Sequence, residues 1–241
     1  MSAERLLRIL SLVTSDGAVS PTTAALCDVS VDVAAVTGGS LMLMSGETPQ
    51  GSLYTTDAVS SGLEELQFTL GEGPCLDAYH AGWPVVAPDL GADGSTRWPG
   101  FTPGALELGA RAVFGFPLTV GVIRLGALNL YRDQPGGLSE EQHADLRVVA
   151  EVAARTVVEL QADTPSGTLA HGLTAGADFH LVVHQASGMV SVQLSVDVDE
   201  ALVRLRAYAF AEGRTLSEVA TSVVRRELYF GDAGADRDGL R

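Results

Sequence analysis

The residues best suited to chemistry lie late in the chain, where arginine and aromatic residues recur at helical spacing. Arg204 and Tyr208 are one turn apart, as are Arg206 and Phe210. A guanidinium beside a ring suits single-stranded RNA loops, because unstacked bases rest on planar groups while phosphates meet the charge. The same spacing also describes an ordinary helix border or a contact between two copies, so spacing alone leaves the choice open. Arg214, Arg225 and Arg226 complete the local basic group. Phosphate affinity depends on that grouping, since residues 181–230 carry a net charge of only −1 and Ser187–Leu194 contains no basic residue.

A second constellation is Gly71-Glu-Gly-Pro-Cys-Leu-Asp-Ala78. Two glycines and a proline directly before a helix bend the backbone sharply, and the free N–H groups of the helix start would suit an anion facing a crevice. Gly71, Gly73 and Cys75 are therefore the candidate ligand-binding residues. Cys75 has two readings: a thiol activated by the helix terminus, or a small buried residue packed under the loop, which is the better of the two. Cys27 is the only other cysteine, so neither a disulfide framework nor a Cys-x-x-Cys pair is available and reduced thiols are expected. His180 and His184 stand one turn apart without a third ligand at metal spacing, which reads as a solvated helix face. No catalytic residue, metal or cofactor is expected.

These groups need elements to hold them. Helical spacing of Leu6, Ile9, Leu10 and Val13 predicts a first helix, and a second follows Pro21, with Ala24, Ala25, Val29, Val31 and Ala35 inside and Gly38-Gly39 as its stop. Strands are expected at Ser40–Met44 and Ser52–Thr56, joined as a hairpin, with a short helix around Ser60–Leu66. A helix from Cys75, a strand at Val85–Ala87, a helix near Pro103–Leu108 and strands at Ala112–Leu118 and Ile123–Tyr131 come next. Ser139-Glu-Glu-Gln142 is a capping box opening a long helix with Leu146, Val149, Ala150, Ala153, Ala154, Val157 and Val158 inside. The order suggests an antiparallel sheet with helices on one face and a crevice on the other.

Residues 163–178 are rich in small and helix-breaking types and read as a linker, either loop or weak helix. Beyond it, three short helices are predicted. The first runs from about Phe179 to Leu194. The second begins after Asp197, ends at Gly213 and faces inward with Val198, Ala201, Leu202, Leu205 and Ala209. The third opens with the Thr215-x-x-Glu218 box and faces inward with Leu216, Val219, Ala220, Val223, Val224 and Leu228. So small a bundle calls for support from the long helix or a second subunit.

The chain has 241 residues, a length that suits two modest domains, and a formal charge of −15. The acidity is concentrated in residues 1–160, at −11. All 15 basic residues are arginine, which favours stacking and bidentate contacts, although a GC-rich genome produces the same bias. No apolar run approaches the roughly 18 to 20 residues needed to cross a bilayer, and no leader pattern is evident, so a cytoplasmic protein without membrane partners is expected.

Gly71-Glu-Gly-Pro-Cys75, Arg97-Trp-Pro99 and Gly115-Phe-Pro-Leu118, in this order, resemble the GAF domain of actinobacterial regulators over about residues 5–160. The resemblance implies a small-molecule sensing or dimerisation module without naming a ligand. One GAF branch resembles a free methionine sulfoxide reductase and uses thiols, but it needs a resolving partner and Cys27 is predicted on a packed helix. Ala186-Ser-Gly-Met189, Glu200-Ala-Leu-Val-Arg-Leu-Arg-Ala-Tyr-Ala209 and Leu216-Ser-Glu-Val-Ala220 closely resemble the ANTAR domain over about residues 180–230. That resemblance implies a three-helix module that binds paired stem-loops in nascent messenger RNA and antagonises transcription termination, generally as a dimer. Its signature falls on Ala186, Gly188, Met189, Ala201, Leu205, Arg206, Ala209 and Ala220, with Gly188 and Arg206 assigned to RNA contact and the others more to packing. No Asp-bearing receiver motif is evident.

The resulting expectation is an α+β sensor at residues 5–162, a linker at 163–178, an all-α RNA-binding domain at 179–230 and a flexible tail at 231–241. Its RNA-contact set is Gly188, Arg204, Arg206, Tyr208, Phe210, Arg214, Arg225 and Arg226. The runner-up is a DNA-binding switch with a helix-turn-helix; its recognition helix would offer Thr215, Ser217, Thr221 and Ser222, a poor set for reading base edges. The thiol-based redox enzyme is third.

Overall fold

A computed structural model describes residues 3–14, 21–45, 48–162 and 178–231. Most of the expected linker, nearly all of the expected tail and the Gly46–Glu47 hairpin tip lie outside the described residues. The chain divides into two compact units, Met1–Ala177 and Asp178–Arg241.

The first unit runs α1 (Ala3–Val13), α2 (Thr23–Ala34), β1 (Gly38–Ser45), β2 (Thr48–Thr55), α3 (Ala58–Leu70), α4 (Pro74–Ala81) and β3 (Val85–Ala87). A π-turn at Leu90–Gly94 leads into α5 (Ser95–Arg97), α6 (Phe101–Glu107), β4 (Ala112–Val120), β5 (Ile123–Arg132) and α7 (Glu140–Ala162). Its five strands form one antiparallel sheet in the order β2-β1-β5-β4-β3.

Strand alternation sorts side chains between the two faces. Leu41, Leu43, Phe114, Phe116, Leu128 and Leu130 point towards Leu26 of α2 and Leu146, Val149, Ala153 and Val157 of α7. The long helix is closed at its start by the expected box: Ser139 Oγ accepts the Gln142 N–H at 3.1 Å and Gln142 Oε1 accepts the Ser139 N–H at 2.9 Å. The buried Asp145 carboxylate ties α7 to α1 through Arg5, at 2.7 Å, and Arg8.

The opposite face is also covered, which corrects the expectation of a crevice there. Val113 and Tyr131 pack with Leu63, Ala78 and Phe101, and Met42 and Ala127 pack with Cys75. Gly115 makes the closest approach possible, since a Cβ there would lie 2.4 Å from the Pro74 carbonyl oxygen. A groove of about 620 Å³ lies instead on the α7 side, lined by Arg5, Phe116, Val120, Arg147, Val148 and Arg155 among others.

Local corrections have local causes. Pro21 precedes the helix, and Thr22 caps α2 by accepting the Ala25 N–H. That helix buries Leu26, Cys27, Ser30 and Ala34, leaving Ala35 outside as a left-handed cap with φ 49°. Gly38-Gly39 therefore opens β1 rather than stopping α2. Val158 of α7 is exposed because it lies just off the buried stripe.

The second unit contains α8 (Asp178–Leu194), α9 (Val198–Ala211) and α10 (Leu216–Val224). Asp197 caps α9 through the Glu200 N–H, and Thr215 with Glu218 forms a reciprocal box at α10. The core joins Val183, Ala186 and Val190 to Ala201, Leu202, Leu205 and Ala209 and to Leu216, Val219, Ala220 and Val223. Val198, expected inside, is exposed at the first turn. Leu228 lies beyond α10, because the chain turns at Arg226 with φ 60°.

Candidate nucleic-acid interface

The basic and aromatic residues of the second unit separate into engaged and available groups. Arg204 is exposed but spans one turn to Glu200, with its Nη2 2.6 Å from the carboxylate. Tyr208 turns to Phe230, with the ring centroids 5.3 Å apart in an edge contact. The structure thus gives Arg204 and Tyr208 partners other than each other. Arg206 is half-buried, and burial lowers its pKa from the ordinary value. Phe210 is 65% exposed. Arg214 braces the start of α10, donating to the Glu218 carbonyl at 3.1 Å and to Ser222 Oγ at 2.9 Å. Arg225 and Arg226 are exposed side by side at the end of α10.

Gly188 sits inside α8, and no described atom comes within 4 Å of a Cβ built there. A glycine in a helix interior costs roughly 1 kcal/mol relative to alanine. No described neighbour within the chain accounts for it. The other signature residues pack: Ala186, Ala201, Leu205, Ala209 and Ala220 are fully buried, and Met189 is half-buried. His184 is half-buried, and burial lowers its pKa; the side chain of His180 lies outside the described residues. Among the described residues no cluster of three or more histidine, cysteine or acidic side chains is placed to hold a metal.

In the first unit the Gly71–Asp77 segment is held from within. Gly71 ends α3 at φ 69°, and Gly73 starts α4 at φ 139°. The Cys75 N–H, expected to face an open crevice, donates 2.8 Å to Gln67 Oε1 in the interior. A Cβ on Gly73 would meet the same Gln67 side chain at 2.5 Å. Burial pushes the Cys75 thiol well up, and the Glu64 carboxylate adds to the effect. This favours the reading of Cys75 as a small buried residue under the loop over that of a thiol activated by a helix terminus; the Cys27 thiol is raised as well, mainly by burial.

The three motifs of this unit converge. Glu72 Oε1 accepts the Gly100 and Phe101 N–H groups at 2.6 and 2.7 Å, starting α6. Asp77 accepts the Arg97 Nε–H and the Trp98 indole N–H. Gly115 admits the Pro74 backbone. Sequence reasoning passed over Ser40, Glu64, Gln67 and Asn129, all buried around Cys75 and the sheet. Glu64 falls on the short helix expected around Ser60–Leu66 and Gln67 just beyond it, and the covering of the second sheet face turns both inward.

Comparison with known proteins follows the two units. Among solved structures, the chain is similar to a GAF domain of an Acinetobacter phosphoenolpyruvate-protein phosphotransferase, at 17% identity and a TM-score of 0.49 over 69% of this chain and 99% of that one. It is also similar to the corresponding GAF domain from Coxiella burnetii, at 20% identity and a TM-score of 0.47 over 67% and 98%. A type II free methionine-R-sulfoxide reductase from Thermoplasma acidophilum gives 16% identity and a TM-score of 0.42 over 63% and 96%. No curated protein matches the chain in sequence. Residues 173–224 match the ANTAR domain. The match to the ANTAR domain thus falls mostly on the three-helix unit, which follows the α+β unit in the chain.

Proposed function

We propose that the chain is an RNA-binding transcription antitermination regulator. Its ANTAR unit binds stem-loops in nascent messenger RNA, and its first unit is a GAF sensor for a small molecule. The observation that carries this reading is the ANTAR match over residues 173–224. It is supported by the exposed Arg225 and Arg226, by Phe210 and by a helix glycine for which no described neighbour accounts. Gly188, Arg206, Phe210, Arg225 and Arg226 are the proposed contacts. Arg204, Tyr208 and Arg214 join them, and all three, like Arg206, make these contacts by exchanging present partners for RNA. Gly71, Gly73 and Cys75 line the sensor interior in this reading and hold no anion.

Two copies act together, with exposed Leu7 and Leu12 of α1 and Val158 and Leu160 of α7 as the apolar surface that joins them. No helix among the described residues is long and apolar enough to cross a membrane, and a cytoplasmic location suits a partner that is nascent RNA. The buried, raised thiol of Cys75 argues against a thiol enzyme.

The test is titration of a labelled tandem-hairpin RNA and a duplex DNA of equal length at matched salt, paired with a read-through assay at an intrinsic terminator. Tighter binding to the hairpins with increased read-through is expected. Preference for duplex DNA would transfer the reading to a DNA-binding switch.

A further inference from the structure

On the α3 and α4 side of the sheet, four buried side chains carry polar atoms without hydrogen-bond partners. Ser40 and Asn129 oppose each other across β1 and β5. Glu64 and Gln67 stand one turn apart on α3, which packs against both strands. Ser40 and Gln67 are completely buried, Asn129 is 2% exposed and Glu64 5%. The unpartnered atoms are Ser40 Oγ, both Glu64 carboxylate oxygens, Gln67 Nε2 and Asn129 Oδ1. Ser40 is a polar neighbour that Glu64 feels, although the two make no hydrogen bond of good geometry. Met42, Cys75 and Ala127 form the apolar wall beside them.

Buried polar atoms in native proteins nearly always find partners, so the chemistry of this set indicates what is missing. The Asn129 oxygen only accepts, Gln67 Nε2 only donates, Ser40 does either, and Glu64 only accepts once its proton is lost. With that proton expelled, acceptors are in excess. Among the described residues no arginine pairs with Glu64. What complements the ionised set is a positive group rich in N–H donors.

We propose that this interior binds a small organic cation of the amidine or amine class, with Glu64 as its counter-charge and Asn129 and Ser40 as further acceptors. The inference rests on the sensor reading of the first unit and names the class of molecule sensed. Burial raises the Glu64 pKa to about 8. Of the titratable groups on the surrounding elements, Cys75 of α4 and Cys27 of α2 feel the Glu64 charge, and Tyr131 of β5 pairs with Asp57; the cations of β5 are held elsewhere, Arg124 by the His80 carbonyl and Arg132 by the Gly137 and Ala34 carbonyls. At pH 7 the carboxyl is thus mostly neutral, and a cation that binds it expels its proton.

The experiment is calorimetric titration of the full chain with acetamidinium, and with acetamide as the uncharged match, in two buffers of different ionisation enthalpy. Acetamidinium is expected to bind and acetamide is not. Nearly one proton should be released per cation at pH 7 and none at about pH 9.5, with affinity rising about tenfold per pH unit below pH 8. Glu64→Gln should bind at least tenfold more weakly and release no proton. Its melting curve at pH 6 establishes that it folds, since the amide resembles the neutral acid. Absence of acetamidinium binding, or equal binding by Glu64→Gln, overturns the proposal. Where that happens while hairpin RNA still binds, the ligand class falls and the regulator reading stands. Binding that leaves RNA affinity unchanged supports the site and overturns the sensor role.

Discussion

Asp77 accepts the indole N–H of Trp98 at 3.1 Å, joining the start of α4 to a segment 21 residues away. The Trp98 ring is 1% exposed, and the same Asp77 oxygen accepts from Arg97. Removing the acceptor leaves a buried donor unpaired. Asp77→Ala should cost about 1–3 kcal/mol in urea unfolding followed by tryptophan fluorescence, whereas Asp77→Asn, which keeps an acceptor oxygen, should cost less. Equal loss in both variants would show that the charge contact with Arg97 is the larger part.

Gly188 offers a test in which stability and function move in opposite directions. Its helical position has open space for a methyl group, so Gly188→Ala should stabilise the second unit by up to about 1 kcal/mol. If RNA approaches the backbone there, the same variant binds hairpins more weakly. Thermal melts and RNA titrations on one preparation read both effects, and a variant that gains stability without losing affinity removes Gly188 from the interface.

Arg225 and Arg226 are exposed together at the end of α10, where phosphate contact needs no rearrangement of the core. Replacing both by alanine should lower the slope of log affinity against log salt by about 1.5, if each meets one phosphate. Glu200→Gln should act in the opposite direction by releasing Arg204 from its 2.6 Å ion pair and so tightening RNA binding. Anisotropy titrations at several salt concentrations separate these effects from changes in folding.

The buried Glu64 carboxyl gives stability a pH dependence of known sign. Its pKa rises on folding to about 8 from an ordinary 4.5, so the folded state holds the proton more tightly. Below the ordinary value both states are protonated and the carboxyl costs nothing. Between pH 4.5 and 8 stability should fall by about 1.4 kcal/mol per pH unit from this group, and above pH 8 the loss is complete. Urea midpoints for the wild type and Glu64→Gln should therefore agree near pH 4 and diverge upward, with the glutamine variant the more stable at pH 8.

Light scattering should give about twice the 25.1 kDa chain mass. Substituting the exposed Val158 and Leu160 with glutamate should reduce it to one chain if α7 joins the copies, leaving the circular dichroism spectrum unchanged. A persistent dimer would place the interface elsewhere.

The sequence carried its clearest information where side chain and backbone act locally. Asp197, Thr215-Glu218 and Ser139-Gln142 all cap the helices they were expected to cap, because a short polar side chain three residues before a free N–H has few alternatives. The β4 and β5 strands were expected within two residues of their observed ends, and each carries a continuous buried run because both sheet faces are covered. Contacts distant in sequence were not legible. Nothing local in Gly115 says that Pro74 will rest on it, and without that contact the second sheet face looked open. The arginine–aromatic spacing was visible too, but spacing does not encode competition. Glu200 lies one turn before Arg204, and Phe230 comes from beyond the last helix to meet Tyr208.

Both thiols are buried, one on each side of the sheet, and both are held in the protonated form. In the native fold neither should react with a maleimide at neutral pH, so a single cysteine introduced on the surface can carry a dye without first removing the native pair. On a longer timescale the two become independent clocks. Alkylation of Cys75 times the lifting of α4 from the strands, and alkylation of Cys27 times the parting of α2 from the other side. Their ratio would report which side of the first unit loosens first.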